Sequence, residues 1–249
     1  MIEDYVPSLS TYSNDIDFVI ILVGVMVGLW LLLAEGLLIG FALKYRKKDG
    51  VKAGYVTGEE KEYTRPITWA HTLILICDVF IVYFAVVVWV DVKQDLPENP
   101  DATVNVISQQ WAWTFEHPGL DGILEDDPTT EGVDESADNI RTVDELHLEV
   151  GKTYIYKLSS KDVLHSFSVP VFRLKQDAIP GRIITGWFTP TGEGAHDIQC
   201  AEICGIGHGM MGARVLIEDA ATHAAWVRAH SAPVLAANTS PRGTTGEDQ

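Results

Sequence analysis

Cysteine is scarce in this sequence of 249 residues: Cys77, Cys200 and Cys204 are the full set. Three cysteines exclude a disulfide framework. Cys77 lies inside an apolar run, where a small buried residue is the ordinary reading. Cys200 and Cys204 form a close pair that needs another explanation. Positive charge is also sparse, with 18 Lys and Arg against 35 Asp and Glu and a net charge of −17. Residues 91–249 hold 25 of those acids and 11 of the bases. A surface so acidic excludes nucleic acid as a partner. It steers cationic partners and repels anionic ones, or it serves solubility or a salty habitat. There is no internal repeat. Strand-like and helix-like segments do not alternate, which argues against a parallel α/β sheet.

Long apolar runs, by contrast, occur twice. Residues 18–43 contain a single charge, Glu35, and residues 67–90 contain Asp78. Each run exceeds the roughly 20 residues that a helix needs to cross a bilayer. The leader MIEDYVPSLSTYSNDID has no Lys or Arg, and the first apolar run is too long for a signal-peptide core. The loop at 44–66 carries Lys44, Arg46, Lys47, Lys48, Lys52, Lys61 and Arg65. Basic loops stay on the cytoplasmic side. The pattern therefore predicts a multi-pass hairpin with its loop inside. The N-terminus and the large domain then lie on the periplasmic or outer side of the cell membrane. Glu35 and Asp78 fall at membrane depth, where carboxyls are costly. Each serves either a proton pathway or polar contact with a membrane partner, or is a protonated carboxyl satisfied by a neighbouring helix. All of these place the hairpin against a partner.

The sequence divides into 1–94, the leader and hairpin; 95–220, an outer domain; and 221–249, a terminal helix and polar tail. In the outer domain TVNVIS, QWAWTF, LHLEVG, TYIYKLSS, SFSVPVF, RIITGWFTP, HDIQCA and ARVLIED have strand character and are separated by Gly, Pro and Asp turns. Seven or eight short strands predict an all-β sandwich or barrel. Residues 116–145 read as an acidic, mobile loop inserted between two strands. The tail NTSPRGTTGEDQ reads as disordered.

The segment CAEICGIGHGMM places Cys200, Cys204, His208 and Met211 close together. Thiolates, imidazole and thioether are soft to borderline ligands, a set that favours copper over hard cations. Gly205, Gly207, Gly209 and Gly212 let the backbone fold tightly around a metal. His165, in DVLHSFSVP, stands at the start of a strand that a sandwich can bring beside this loop. A disulfide leaves His208 and Met211 unexplained, and zinc has little use for Met. A mononuclear blue-copper site takes one Cys, so the second is surplus. Two bridging thiolates fit two copper ions better. His71, His117, His147, His196, His223 and His230 are read as ordinary core or surface residues.

These residues resemble subunit II of haem–copper cytochrome c oxidases, whose pattern is a histidine followed by C-x-E-x-C-x-x-x-H-x-x-M. His165, Cys200, Glu202, Cys204, His208 and Met211 stand in that register, and the likeness extends to DVLHSFSVP, LKQDAIPGR, QQWAWTF and the hairpin, over about residues 15–220. The resemblance implies a two-helix transmembrane hairpin plus an all-β cupredoxin-like sandwich holding a dinuclear copper centre of the CuA type. It implies that Cys200 and Cys204 bridge both coppers, that His165 and His208 bind one each, and that Met211 and the Glu202 carbonyl are weak ligands. The Glu202 side chain then faces a magnesium or manganese ion shared with subunit I. Trp111 matches the tryptophan at which electrons arrive from cytochrome c, soluble or membrane-bound. Subunits I and III are the implied partners, with oxygen reduction and proton translocation in the partner complex.

The sequence departs from the family's pattern in places, the acidic stretch at 116–145 among them. A glutamate that marks a proton-channel mouth in many relatives aligns with Pro66, though Glu59, Glu60 and Glu62 are near. C-x-x-C-H is missing, so a c-type haem domain fused to the tail is not expected. A quinol oxidase subunit would lack the copper ligands. A membrane-anchored copper chaperone would need neither Met211 nor Glu202. A nitrous oxide reductase would need a second, histidine-rich domain.

Overall fold

The computed structural model describes residues 5–52, 54–124 and 138–238. It forms two units, one of residues 14–94 and one that joins 1–13 to 95–249. In the first, α1 is Ser13–Lys44 and α2 is Lys61–Trp89, continued by a π-helical turn at Val90–Gln94. The spans Ser13–Lys44 and Lys61–Gln94 have mean hydropathies of 2.7 and 2.8, and both are long and apolar enough to cross a membrane. Helix α2 starts six residues before the apolar run at 67. Pro66 lies inside it and forfeits one intrahelical hydrogen bond. The turn before the helix is tied by Glu60, whose carboxylate accepts from the Thr57 amide (3.2 Å), the Thr57 hydroxyl (2.9 Å) and the Gly58 amide (3.0 Å).

Among its described residues the second unit contains ten strands: β1 Ala102–Gln109, β2 Ala112–His117, β3 Ile140–Val143, β4 Glu145–Glu149, β5 Tyr154–Ser160, β6 His165–Val169, β7 Leu174–Ala178, β8 Ile184–Phe188, β9 Gly194–Cys200 and β10 Gly212–Glu218. They build two five-stranded sheets, in the orders β3-β2-β1-β5-β8 and β4-β10-β9-β6-β7. This is the expected cupredoxin-like sandwich. Pairing is antiparallel except for β1 with β5 and β10 with β4. The inner faces bury Val104, Val106, Trp113, Phe115, Leu146, Leu148, Leu158, Phe167, Phe188, Ile198 and Val215. Each large apolar side chain removed from water contributes about 1.5–3 kcal/mol. Alternation along β10 is plain: Ala213, Val215 and Ile217 face in while Gly212 and Arg214 face out.

Two strands exceed the expected seven or eight, β3 and β7. Both are edge strands, and an edge strand needs little apolar sequence because one side faces solvent. Strand β7, LKQDA, buries only its ends, Leu174 and Ala178. Strand β3 lies in the stretch 116–145 read as loop, and Glu116 and His117 close β2. The acidic centre of that stretch, 125–137, and the polar tail from 239 lie outside the described residues.

The leader, assigned by sequence to the hairpin, packs on the sandwich. Leu9 N–H donates to Val171 O (2.8 Å), Thr11 N–H to Thr189 O (3.2 Å), and Thr191 N–H to Leu9 O (3.0 Å). The Arg173 guanidinium donates to the carbonyls of Val6 (3.0 Å) and Pro7 (3.1 Å). Tyr12 meets Trp187 edge-on, with ring centroids 5.1 Å apart. At the other terminus α3, Ala220–Asn238, is capped by Asp219, which accepts from the Ala221 and Thr222 amides at 2.8 and 3.1 Å.

Candidate metal centre

Strand pairing places the candidate ligands at one end of the sandwich. His165 opens β6, Cys200 closes β9, and the two strands pair with Phe167 opposite Cys200. The β9–β10 connection carries the other candidates, and its ends are tied by the Cys200 amide donating to Met211 O (3.1 Å). A 3₁₀ turn at His208–Met210 turns His208 inward. Cys200 Sγ lies 3.7 Å from Cys204 Sγ, 3.8 Å from His165 Nδ1 and 3.3 Å from the carbonyl oxygen of Glu202. Cys204 Sγ lies 3.6 Å from His208 Nδ1 and 3.8 Å from Met211 Sδ. His165, Cys200, Cys204 and Met211 are buried, and His208 and Glu202 are half-buried.

The donor set fits a soft metal. Both cysteines are free thiols. Their separation is below twice a metal–thiolate bond of about 2.3 Å, so one ion can touch both sulfurs. Burial, then the adjoining Cys200 sulfur, pushes the Cys204 thiol up to about 11. A metal ion displaces such protons when it binds. The cluster of His165, Cys200 and Cys204 brings its ligand atoms within 4.8 Å of one another and is compatible with copper.

The surroundings hold the ligands in place. Asp162 Oδ1 accepts from His165 Nε2 at 2.9 Å, which leaves Nδ1 facing Cys200. The other carboxylate oxygen accepts the Gln110 amide at 2.6 Å. Burial raises the Asp162 carboxyl, but bonds from His165, Gln110 and Val163 outweigh it and hold the group below its ordinary value. From the core side, Trp113 meets the His165 ring edge-on at 6.2 Å. The Cys204 carbonyl accepts both Gln110 Nε2 (2.6 Å) and Trp111 Nε1 (3.3 Å). Trp111 is 40% exposed, so one aromatic ring joins the ligand loop to solvent.

The glycines divide by task. Gly205 has φ +122°, a conformation other residues rarely adopt. A Cβ on Gly207 would lie 2.4 Å from the Trp111 ring, so this glycine makes the seat on which the indole rests. Gly209 and Gly212 have room for a side chain.

Residues 102–218 match the family described as cytochrome C oxidase subunit II, periplasmic domain. Over that span, a little under half of the chain, the sequence carries the domain that this family model describes. It is similar to alternative cytochrome c oxidase subunit 2 of Bradyrhizobium diazoefficiens, 38% identical over 57% of this chain and 54% of that protein. Cytochrome c oxidase subunit 2 of Cereibacter sphaeroides is 32% identical over 54% of this chain and 51% of that protein. The chain thus spans about half the length of these relatives. Among solved structures, the periplasmic domain of subunit II of cytochrome oxidase from Bradyrhizobium japonicum aligns at 25% identity and a TM-score of 0.45, covering 56% of this chain and 99% of that one.

In this subunit II domain the structure gathers the six candidate ligand residues at one end, with Trp111 against them. Two neighbours escaped the sequence. Asp162 stands three residues before His165, a usable signal in DVLHSFSVP. Gln110 precedes Trp111, but nothing local marks it, because its partners lie 52 and 94 residues away.

Proposed function

We propose that this chain accepts electrons from a cytochrome c and passes them to haem in subunit I of a respiratory oxidase, where oxygen is reduced to water with proton translocation. The observation that carries this is the approach of two thiols, two imidazoles, a thioether and a carbonyl at one sandwich end, with a half-exposed tryptophan bonded to the same loop. Cys200, Cys204, His165 and His208, with Met211 and the Glu202 carbonyl as weaker donors, would hold two copper ions, which would supply a one-electron carrier. The Glu202 side chain serves a magnesium or manganese ion at the subunit I boundary.

The protein's own contribution is rigidity and access. Ligands fixed between paired strands rearrange little between oxidation states. Asp162 fixes the orientation of the His165 ring. Trp111 provides the point at which electrons arrive. On the loop that carries Cys204 and His208, Ile206 and Met210 are 97% and 90% exposed, an apolar rim suited to short-range contact with the donor. The net charge of −17 supplies long-range steering of a cationic cytochrome c. The helices α1 and α2 anchor the chain in the cell membrane with the copper domain on the periplasmic or outer side, beside subunits I and III.

The test is direct electron uptake. The full chain in detergent, loaded with copper, is mixed with reduced cytochrome c and followed by stopped-flow absorbance. Uptake of one electron per chain, slowed by salt, is expected. No uptake by a copper-loaded chain would overturn the proposal.

A further inference from the structure

Gln110 is an exposed residue in the two-residue turn between β1 and β2, where Gln109 pairs with Ala112. A polar side chain at such a tip ordinarily ends in water. Here Nε2 donates to the Cys204 carbonyl at 2.6 Å, and the backbone N–H donates to Asp162 Oδ2 at 2.6 Å. Three segments therefore meet at one residue: the β1–β2 turn, the β5–β6 connection through Asp162, and the β9–β10 connection through Cys204.

These contacts close a circuit around the candidate metal centre. From Cys204 the path runs through Gln110 to Asp162, then to His165 Nε2 at 2.9 Å, and from His165 Nδ1 to Cys200 Sγ at 3.8 Å. It ends on the second thiol, 3.7 Å from the first. The Cys204 carbonyl needs such support, because Gly205 follows it at φ +122° and a glycine leaves the peptide free to turn. The carbonyl has two lone pairs, one for each donor. The bond from Trp111 Nε1 is long, at 3.3 Å, so the firm one comes from Gln110. A Cβ on Gly205 would lie 2.9 Å from Gln110 Nε2 and 3.3 Å from the indole nitrogen, so both side chains lie close against this peptide.

We propose that Gln110 is a positioning residue of the copper centre: its amide fixes the Cys204 peptide, and with it the Cys204 sulfur, relative to His165. The inference rests on the two-copper reading of the site and adds a residue to it. The same bond tunes the centre, since hydrogen bonds around a metal–thiolate site help to set its potential. An N–H dipole with its positive end on the Cys204 peptide favours the electron-rich, reduced state. Removing the donor disfavours uptake of an electron. A carboxylate in its place disfavours uptake more, because two acceptors then face each other.

The experiment compares the full copper-loaded chain in detergent with its Gln110→Ala and Gln110→Glu variants. Each is titrated with a small-molecule reductant, its copper hyperfine splitting is recorded, and copper release to a chelator is timed. Equal copper content at full loading is expected in all three. The equilibrium constant for reduction should fall several-fold in Gln110→Ala and further in Gln110→Glu. The hyperfine splitting should change, and copper release should quicken by roughly tenfold. A residue that merely closes the turn leaves the equilibrium and the splitting unchanged, and that result in both variants overturns the proposal. None of these readouts needs cytochrome c. Variants that shift as expected, in a protein that takes no electron from cytochrome c, would remove the electron-accepting role and support the role of Gln110. A chain that binds no copper overturns both.

Discussion

The Asp162 carboxylate joins two segments at the candidate metal centre, accepting His165 Nε2 at 2.9 Å on one oxygen and the Gln110 amide at 2.6 Å on the other. One side chain thereby orients a candidate ligand and anchors the residue before Trp111. Loss of such an outer partner typically weakens metal binding about 10–100-fold. Asp162→Asn is expected to lower copper affinity by that order, measured by competition with a copper chelator, and to slow electron uptake further at full loading. Unchanged affinity and rate would mean that the bond merely shapes the turn.

Gly207 is the second test of the same geometry. In Gly207→Ala the new methyl must displace the Trp111 ring. Crowding of this kind costs about 1–3 kcal/mol. Electron uptake from cytochrome c should fall while copper stoichiometry holds. Equal loss of both would show that the substitution disrupts the ligand loop and not the indole alone.

The apolar rim and the acidic surface separate by salt. Ile206→Ser is expected to weaken the encounter with cytochrome c several-fold and leave the ionic-strength slope of the association rate intact, because it removes contact and not charge. A changed slope with an unchanged plateau would contradict this division.

His117 makes the outer domain acid-sensitive. Burial, then the neighbouring His147, pushes its pKa down to about 3 from an ordinary 6.5. As pH falls through 6.5 the unfolded chain binds a proton that the folded chain refuses until about 3. Stability is therefore intact above that window and lost within it, at up to about 1.4 kcal/mol per pH unit. Burial lowers His223 as well, which acts in the same direction. Thermal unfolding followed between about pH 7 and 4 should show the midpoint fall, less steeply in His117→Gln. Identical slopes would remove His117 as the cause.

What was legible in the sequence was local. The apolar runs and the alternation in TVNVIS or ARVLIED are written within a few residues, and so are Cys200, Cys204, His208 and Met211. What was not legible depends on distant partners. The leader is held by Val171 and Thr189, and Asp162 meets Gln110 only after the sheets form. Strands β3 and β7 carry too few apolar residues to announce themselves, because the sheet edges do not require them.

The proposed function requires one electron shared between two coppers held by Cys200 and Cys204. Copper content and the electron paramagnetic resonance spectrum of the oxidised full chain test it most directly. Two coppers per chain with a seven-line hyperfine pattern is the expected result. A single copper with a four-line pattern, or Cu(I) silent in both redox states, would contradict it and leave a copper-carrying role in its place.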